Sequence, residues 1–476
     1  MLWRALGAAL LVSVPACAGG SNEAGGNGLA DNVSATSPPP APGVSAQIDS
    51  LRAVRGENLE FAIYTYGPGE AVFEKFGHIA LAMRDTATGE DIAFNWGMFD
   101  FDQPHFLRRF LTGDTRYWMA GYDTRAFNAI YQRDDRSIRR QTLALSPVER
   151  GALQDYLSWN AAEENMYYRY DYYRDNCSTR VRDILDWALS DVGGLRSLLA
   201  EPADDPSVGG DGPLPSSRLS WREETARITA SDLPVYAGIE IALGRKADLA
   251  LNAWDAAFLP EHLAADLAGV SVNGVALIAS DTTLFVSNRP ALPLQAPSRV
   301  LGAWILGIAL TAFIAILSNA ASARALLAIF GVLWYAIGGV VGTLLLLAAT
   351  VTKHAPYMGS NLSLLVFNPL LLLAAIYWPF RHNPQRTGRA ATGLSAVVAL
   401  LTFAASLLIM MPVFSQNSLV VIAVTLPVNV MLALSARSSV KGAAAWWRLS
   451  GGDDRTFTER KTATGNGGSA FYEDRP

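Results

Sequence analysis

The chain has 476 residues, of which 50% are hydrophobic and 17% are charged, and its formal net charge is −5. Nucleic-acid binding needs a basic surface that neutralises phosphates, so this mild acidity argues against a nucleic-acid partner. The length is sufficient for two or three domains.

The first residues, MLWRALGAALLVSVPACAGG, combine a charged start, an apolar core and small residues. This order is typical of export, so residues 1–20 are predicted to be a signal peptide or an uncleaved anchor. Cys17 also fits a lipoprotein cleavage site, at which it would be lipidated. Each alternative places the following domain outside the cytoplasm. Residues 21–50 are rich in Gly, Ser, Asn and Pro and are predicted to form a flexible linker.

Residues 51–145 have a strand-like pattern. The segment LEFAIYTYG alternates and ends at a turn, and FGHIALAMRD and IAFNW alternate on either side of the turn TATGED. The last two segments predict a β-hairpin. A register in which Asn95 lies directly opposite His78 would bring the two side chains together, and a slip of one residue would separate them.

Two helices are predicted next. The first covers residues 146–162 and starts with Ser146-Pro147 and Glu149, and the second covers residues 178–191 and ends at a pair of glycines. Together with the strands, these helices predict an α+β domain over residues 51–295.

The C-terminal part of the chain is apolar. Five runs are long enough, or nearly so, to cross about 30 Å of hydrocarbon, which predicts an all-α five-helix transmembrane domain over residues 300–436. Arginines collect in alternate loops, which places residue 300 outside the cytoplasm and residues 437–476 in a largely disordered cytoplasmic tail. The five apolar runs are 301–318, 325–351, 361–380, 391–413 and 418–436.

Cys177 is the one cysteine outside the leader, in the segment RDNCSTRVRDIL. A single cysteine cannot form an internal disulfide, so the thiol has either a packing role or a chemical role. Its place at a helix start favours a thiolate, and His78 is the best candidate base, with Asn95 orienting the ring. The alternative is an inert buried thiol and a structural histidine. One cysteine and scattered histidines match no zinc-ligand spacing, so no metal is expected.

Three segments carry a resemblance to a known family: YTYGPGEAVFEKFGHIAL, FNWGMFDF and the Tyr-rich approach to RDNCSTRVRDIL. Together they resemble the periplasmic domain of the Lnb-type bacterial lipoprotein N-acyltransferases. The five apolar runs resemble that family's membrane domain, and THAPYMGSNLSLLVFNPL resembles the segment between its second and third helices.

The resemblance implies a circularly permuted papain-like thiol fold in which His78 precedes Cys177. It implies that Cys177 carries the acyl group and that His78 is its base; the role of Asn95 is an inference from the hairpin. The implied reaction moves an acyl chain from a membrane phospholipid to the α-amino group of a diacylglyceryl-cysteine lipoprotein, without a cofactor. The implied location is the bacterial inner membrane, with the catalytic domain in the periplasm.

Further residues are candidates for substrate binding. A hydroxyl or amide close to the thiol would stabilise an oxyanion. An arginine on the helix of the thiol would bind a lipid phosphate; the alternative is that this arginine is simply exposed to solvent. Polar residues at the outer ends of the second and third apolar runs would hold a phosphate or glycerol group, or would cap helices. These candidates are Tyr66, Tyr170, Asn176, Arg180, His354, Asn361 and Asn368.

Two other functions fit the same residues. One is a periplasmic cysteine peptidase or amidase that acts on cell-wall peptides, which would not need five membrane spans. The other is a membrane-anchored scaffold whose thiol fold has lost activity, against which the joint presence of Cys177 and His78 argues.

Overall fold

The computed structural model describes residues 36–199, 219–383, 386–414 and 416–449. The predicted signal peptide or anchor at 1–20, with Cys17, most of the predicted linker and most of the predicted cytoplasmic tail therefore lie outside the described residues. The linker prediction, 21–50, extends too far, because a helix begins at Ala46 with Ser45 as its N-cap.

The N-terminal part of the chain is built around an antiparallel sheet. Seven of the described strands form it, in the order β6-β4-β3-β2-β1-β5-β9. The strands predicted from alternation are present as β1 to β3, and β2 and β3 form the predicted hairpin. The sheet strands are β1 (Leu59–Tyr66), β2 (His78–Asp85), β3 (Asp91–Met98), β4 (Arg116–Asp123), β5 (Ile138–Leu143), β6 (Tyr167–Arg169) and β9 (Ile278–Phe285), and β7 (Ser271–Val272) and β8 (Val275–Ala276) form a separate pair.

Helices accompany the sheet. Two of them lie within residues 51–145, where the sequence predicted strands alone, and a third, Ala46–Gly56, overlaps the start of that region. Helix Thr124–Arg133 is capped by the Asp123 side chain. The helices are α1 (Ala46–Gly56), α2 (Phe106–Thr112), α3 (Thr124–Arg133), α4 (Pro147–Ala161), α5 (Cys177–Ala188), α6 (Gly194–Leu198), α7 (Trp221–Thr229), α8 (Leu233–Ala242), α9 (Ala253–Ala256) and α10 (Pro260–Gly269).

Helices α4 and α5 are the two that the sequence predicted. Ser146 and Glu149 form the expected capping box at the start of α4. Helix α5 begins one residue earlier than predicted, at Cys177, because Asn176 caps it. It ends at Ala188, three residues before the predicted end, and the chain continues through a 3₁₀ turn to Gly193, whose φ of 99° favours glycine.

The two faces of the sheet bury different residues. One face, with Ile79 and Leu81, packs against the apolar side of α5, including Val181 and Leu185. The other face, with Ala80 and Ala82, packs near Phe127 of α3. This division follows from the alternation of side chains along β2 and places α5 against one side of that strand.

The C-terminal part contains helices that fit a membrane. Five of the described helical segments are long and apolar enough to cross one: Val300–Asn319, Ala321–Val351, Ser363–Phe380, Arg386–Leu408 and Leu419–Arg437. The third is not continuous, because residues 367–369 separate two helical pieces at Asn368-Pro369. The helices are α11 (Val300–Asn319), α12 (Arg324–Val351), α13 (Ala355–Met358), α14 (Ser363–Val366), α15 (Leu370–Tyr377), α16 (Arg386–Leu408) and α17 (Leu419–Leu449).

The chain divides into two compact units that do not follow sequence order. The first unit contains the residues up to Ser298 and also Leu347–Asn361 and Ser415–Asn417. Within it, the backbone N–H of Gly244 donates to the carbonyl of Tyr357 at 2.7 Å, and Tyr357 is buried beside Tyr173 and Trp221. The second unit contains Arg299–Leu346, Leu362–Phe414 and the residues from Ser418.

Candidate active site

The start of α5 is held in place by Asn176. Its side-chain oxygen accepts hydrogen bonds from the backbone N–H groups of Ser178 and Thr179, at 2.9 and 3.0 Å. Its amide nitrogen donates to the carbonyls of Tyr172 and Phe258, both at 3.0 Å. Both amide hydrogens of Asn176 are therefore used within the protein, and its substrate-binding role stays a prediction.

Cys177 is the first residue of α5, and its side chain is partly buried. Burial raises the pKa of the thiol to about 11, although the N–H groups of Ile79, Ser178 and Cys177 itself and the charge of Arg136 act in the opposite direction. The sulfur thus lies where backbone N–H groups face it, and it is protonated at neutral pH. A thiol in this state needs a base before it can act as a nucleophile.

His78 is the first residue of β2, and its ring is bonded to Asn95. The distance from His78 Nε2 to Asn95 Oδ1 is 2.6 Å. Because an amide oxygen only accepts, this bond assigns the ring proton to Nε2 and leaves Nδ1 as the basic nitrogen. Burial lowers the pKa of His78 to about 4, the charge of Arg136 lowers it further, and the bond to Asn95 opposes both. At neutral pH the ring is therefore an uncharged base.

The hairpin register differs from the predicted one by two residues. Leu81 pairs with Phe94, so Gly97 occupies the position that corresponds to His78 and Asn95 is offset along the strand. Side chains alternate with a period of two, so Asn95 still shares a face with His78. A Cβ at Gly97 would lie 3.3 Å from His78 Cε1, so the absence of a side chain there leaves room for the ring.

The sulfur and the imidazole come close to the same end of β2. The Ile79 N–H, which faces the Cys177 sulfur, belongs to the residue that follows His78. The His78 ring lies near Phe127 and Tyr131, and in the part of the chain that the structure describes no hydrogen bond joins it to the sulfur. The geometry of the resting site therefore holds the base through Asn95 and the sulfur through α5.

Arg136 is a charged residue of this site that the sequence interpretation did not include. It is buried, its Nε donates to the carbonyl of Gly67 at 2.8 Å, and its Nη1 lies 3.6 Å from a carboxylate oxygen of Glu74. The guanidinium lies 4.7 Å from the ring centre of Tyr131, which is parallel to the His78 ring at 6.0 Å. A lone arginine in a polar turn gives no local sequence signal of such proximity.

The tyrosines and the arginine predicted near the thiol have partners of their own. The Tyr66 hydroxyl donates to Asn128 Oδ1 at 2.7 Å, and Tyr66 stacks on Tyr131 at 3.7 Å. Arg180 forms a two-pronged ion pair with Asp175, at 2.5 and 2.8 Å, and lies over the ring of Tyr168. These contacts account for the positions of the Tyr66 and Arg180 side chains without a bound ligand.

Tyr170 and Tyr168 are neighbours of the Cys177 thiol. Tyr170 packs against the same core cluster as Cys177 and stacks on Tyr117 at 4.3 Å. Tyr168, a residue that the sequence interpretation did not select, has a buried hydroxyl without a hydrogen-bond partner among the described residues. Burial, together with the nearby Cys177, raises the pKa of both tyrosines well above 10. Both therefore stay protonated and able to donate a hydrogen bond.

The three polar residues predicted at the ends of the apolar runs bond to protein groups. His354 Nε2 lies 3.3 Å from the carbonyl of Phe110, and the Asn361 amide donates to the carbonyls of Ile241 and Ala242 at 2.9 Å. Asn368 donates to the carbonyl of Leu365 and accepts from the N–H of Leu370, both at 3.1 Å. These contacts fit the alternative in which the three residues satisfy backbone groups of the protein. Their binding of a lipid phosphate or glycerol group stays a prediction.

One cluster has the composition of a metal site. The ligand atoms of Glu224, Glu261 and His262 lie within 4.8 Å of one another. Arg227 forms ion pairs with both glutamates, and His262 Nε2 lies 2.7 Å from Glu224. Since the Arg227 guanidinium already pairs with both carboxylates, the cluster is explained as a partly buried ion-pair network, in which Glu261 is 46% exposed.

Comparison with known families agrees with this architecture. A family model described as the Lnb N-terminal periplasmic domain matches residues 46–207, and one described as the Lnb transmembrane domain matches residues 296–441. The chain belongs to the Lnb family. No curated protein and no solved structure matches it significantly. This Lnb-family chain is a multi-pass membrane protein whose N-terminal domain is periplasmic.

The uncharged state of His78 leads to a prediction for the pH profile of this Lnb-family protein. A histidine whose pKa is lowered to about 4 keeps its function as a base down to that pH. We expect the rate of Cys177 acylation by an ester to be constant around neutral pH and to fall as the pH drops through about 4. Arg136→Gln should move this fall to higher pH, because a positive charge that disfavours imidazolium has been removed.

The measurement is the pH dependence of the acylated Cys177 peptide by mass spectrometry. Arg133→Gln is the matched control, because this substitution removes the same charge from the same segment at a side chain that is 73% exposed. An unchanged profile in Arg136→Gln would contradict the assignment of Arg136 to the site.

Asn95 gives a second prediction. Asn95→Ala removes the acceptor that fixes the proton on Nε2, so we expect kcat to fall about 10- to 100-fold with a small change in KM. Asn95→Asp keeps an acceptor and adds a negative charge, which should raise the pKa of His78 and retain more activity. Steady-state kinetics and the pH profile check both. Equal losses in the two variants would show that Asn95 acts through packing alone.

Proposed function

We propose that this protein is a lipoprotein N-acyltransferase that uses Cys177 as its acyl carrier. The observation that carries the proposal is the arrangement at the end of β2: a thiol at a helix start faces the N–H of Ile79, and the residue before Ile79 is a histidine that Asn95 holds as a neutral base. Membership of the Lnb family and five membrane-compatible helices support a reaction between lipids at a bilayer. The proposed location is the periplasmic face of a bacterial inner membrane.

In the first half-reaction the thiol attacks an ester carbonyl of a membrane phospholipid. The sulfur forms a bond to the carbonyl carbon while its proton passes to His78 Nδ1. The backbone N–H of Cys177 stabilises the oxyanion, because those of Ser178 and Thr179 already donate to Asn176, and Tyr168 or Tyr170 adds a hydroxyl donor. The carbon–oxygen bond then breaks, and Nδ1 returns the proton to the leaving lysophospholipid oxygen, which leaves a thioester on Cys177.

In the second half-reaction an amine replaces the thiol. The neutral α-amino group of a diacylglyceryl-cysteine attacks the thioester carbon, and its proton passes to His78 Nδ1. The carbon–sulfur bond breaks, and the sulfur takes the proton back from Nδ1. The sum is conversion of an ester and an amine into an amide and an alcohol, without a cofactor.

We also interpret the fold of residues 51–295 as a permuted papain-like thiol domain, because the histidine strand precedes the cysteine helix in the chain. Residues 300–436 are the proposed membrane domain. The order of the two catalytic elements and the antiparallel sheet beside α5 support this interpretation.

The test uses the full-length protein in phospholipid vesicles whose acyl chains carry an isotope label. Without an acceptor, mass spectrometry should detect a labelled acyl thioester on the Cys177 peptide. With a synthetic diacylglyceryl-cysteine peptide, the label should appear on its α-amino group. An unmodified acceptor together with cleavage of cell-wall peptides would instead establish the peptidase or amidase function, and neither product would favour an inactive scaffold.

A further inference from the structure

Helix α2 exposes apolar side chains on the periplasmic unit. Leu107 is 52% exposed and Leu111 is 43% exposed, one turn apart on the same helix. Arg108 is exposed between them, and Arg109 follows it. Exposed leucines and arginines in one short segment are typical of a lipid headgroup boundary, where leucines enter the acyl region and arginines reach phosphates.

Within the first unit, α2 is hydrogen-bonded to residues 353 and 354, which follow a membrane-compatible helix in the chain. The carbonyl of Thr112 accepts from the backbone N–H of Lys353 at 2.9 Å, and the Lys353 ammonium lies 3.4 Å from Asp114. His354 bonds the carbonyl of Phe110. Lys353 comes two residues after the span Ala321–Val351 ends. The C-terminal end of α2 is therefore hydrogen-bonded to the segment that directly follows that span in the chain.

A row of aromatic rings leads from α2 toward the thiol. Phe110 stacks with Phe106 at 6.1 Å, Phe106 with Phe99 at 6.4 Å, and Phe99 with Tyr117 at 5.0 Å. Tyr117 stacks with Tyr170 at 4.3 Å, and Tyr170 packs against the cluster that Cys177 joins. The aromatic row thus connects the exposed helix with the surroundings of the sulfur, and its apolar surface suits an acyl chain.

We propose that α2 lies in the headgroup region of the outer leaflet and that a phospholipid leaves the bilayer there, with its acyl chain against the aromatic row, to reach Cys177. The occupant is a membrane phospholipid rather than a protein, for two reasons. The end of α2 is hydrogen-bonded to the segment directly after a membrane-compatible helix, and α2 carries arginines beside its leucines. The use of the lipid as acyl donor rests on the proposed function; the contact of α2 with the bilayer does not.

The contact is tested with a benzoylphenylalanine photocrosslinker in place of Leu107, in the full-length protein in nanodiscs of phosphatidylethanolamine and phosphatidylglycerol. Leu284, on β9, is the matched control position because it is 50% exposed. We expect a phospholipid adduct at position 107, detected by mass spectrometry, at least tenfold more abundant than at position 284. Equal or absent adducts at position 107 would overturn the proposal.

The delivery step is tested with the double substitution Leu107→Glu and Leu111→Glu, and with Leu284→Glu as the control. Acylation of Cys177 is measured with vesicle phospholipid and with a water-soluble p-nitrophenyl ester. We expect the phospholipid-to-soluble-ester ratio to fall at least tenfold in the double variant and not in the control. An unchanged ratio would overturn the delivery role. Failure of both donors in the wild-type protein would instead count against the proposed function, while the photocrosslinking result would stand.

Discussion

Replacement of Cys177 by alanine is expected to abolish transfer of the acyl label to the acceptor, by at least about 1,000-fold, because no other nucleophile can form the thioester. The sequence has one other cysteine, Cys17, which lies 160 residues earlier and is not near the proposed base in sequence. The measurement is the fraction of acceptor peptide that carries labelled amide, determined by mass spectrometry.

Two controls separate loss of chemistry from loss of structure. Cys177→Ala should keep the thermal unfolding midpoint close to the wild-type value, because Asn176 and Ser178, not the thiol, hold the helix start. Cys177→Ser should also be nearly inactive, since a serine hydroxyl has a much higher pKa than a thiol. Full transfer by Cys177→Ala would remove the thioester from the mechanism.

Replacement of His78 by alanine is expected to lower the rate of acylation about 100- to 10,000-fold at neutral pH. The reason is the raised pKa of Cys177, about 11, which leaves almost no thiolate without a base. The residual rate should rise about tenfold per pH unit above pH 7, because it follows the thiolate fraction. The wild-type rate lacks this slope, and kinetics over pH 6 to 10 compare the two.

His105 offers a control for the loss of a histidine. It is the N-cap residue of α2 in a left-handed conformation, and among the described residues no hydrogen bond or ring contact joins it to Cys177 or His78. His105→Asn, which tolerates positive φ, should therefore retain wild-type acylation. A wild-type rate in His78→Ala would show that another group takes the thiol proton.

The local features of the fold were predictable because they depend on nearby residues. Alternation defined β1 to β3, and the Ser146–Glu149 capping box marked the start of α4. The face shared by His78 and Asn95 was also predictable, although the predicted pairing was wrong by two residues. A register shift of two residues leaves every side chain on the same face of the sheet, so His78 and Asn95 are in contact although the predicted register was wrong.

Other features depend on contacts distant in sequence and were not predictable. Arg136 reaches the site from the turn before β5, and its neighbours Gly67 and Glu74 lie more than 60 residues earlier. The hydroxyl of Tyr168 is buried and has no hydrogen-bond partner among the described residues, which nothing in the local sequence indicates. Helix α2 was assigned to a strand-like region because its seven residues are too few to establish a helical period.

Tyr357 belongs by sequence to the segment between two membrane spans, but it is buried at 1% exposure among Tyr173, Trp221 and Phe258. A secreted fragment that stops at Ser298 would lack this ring and would open the aromatic centre to water. Recombination between relatives is therefore constrained. Exchange of all residues from 299 onward would also exchange Tyr357, which belongs to the interior of the first unit. Chimaeras of this architecture should tolerate breakpoints only where residues 347–361 and their aromatic neighbours are inherited together.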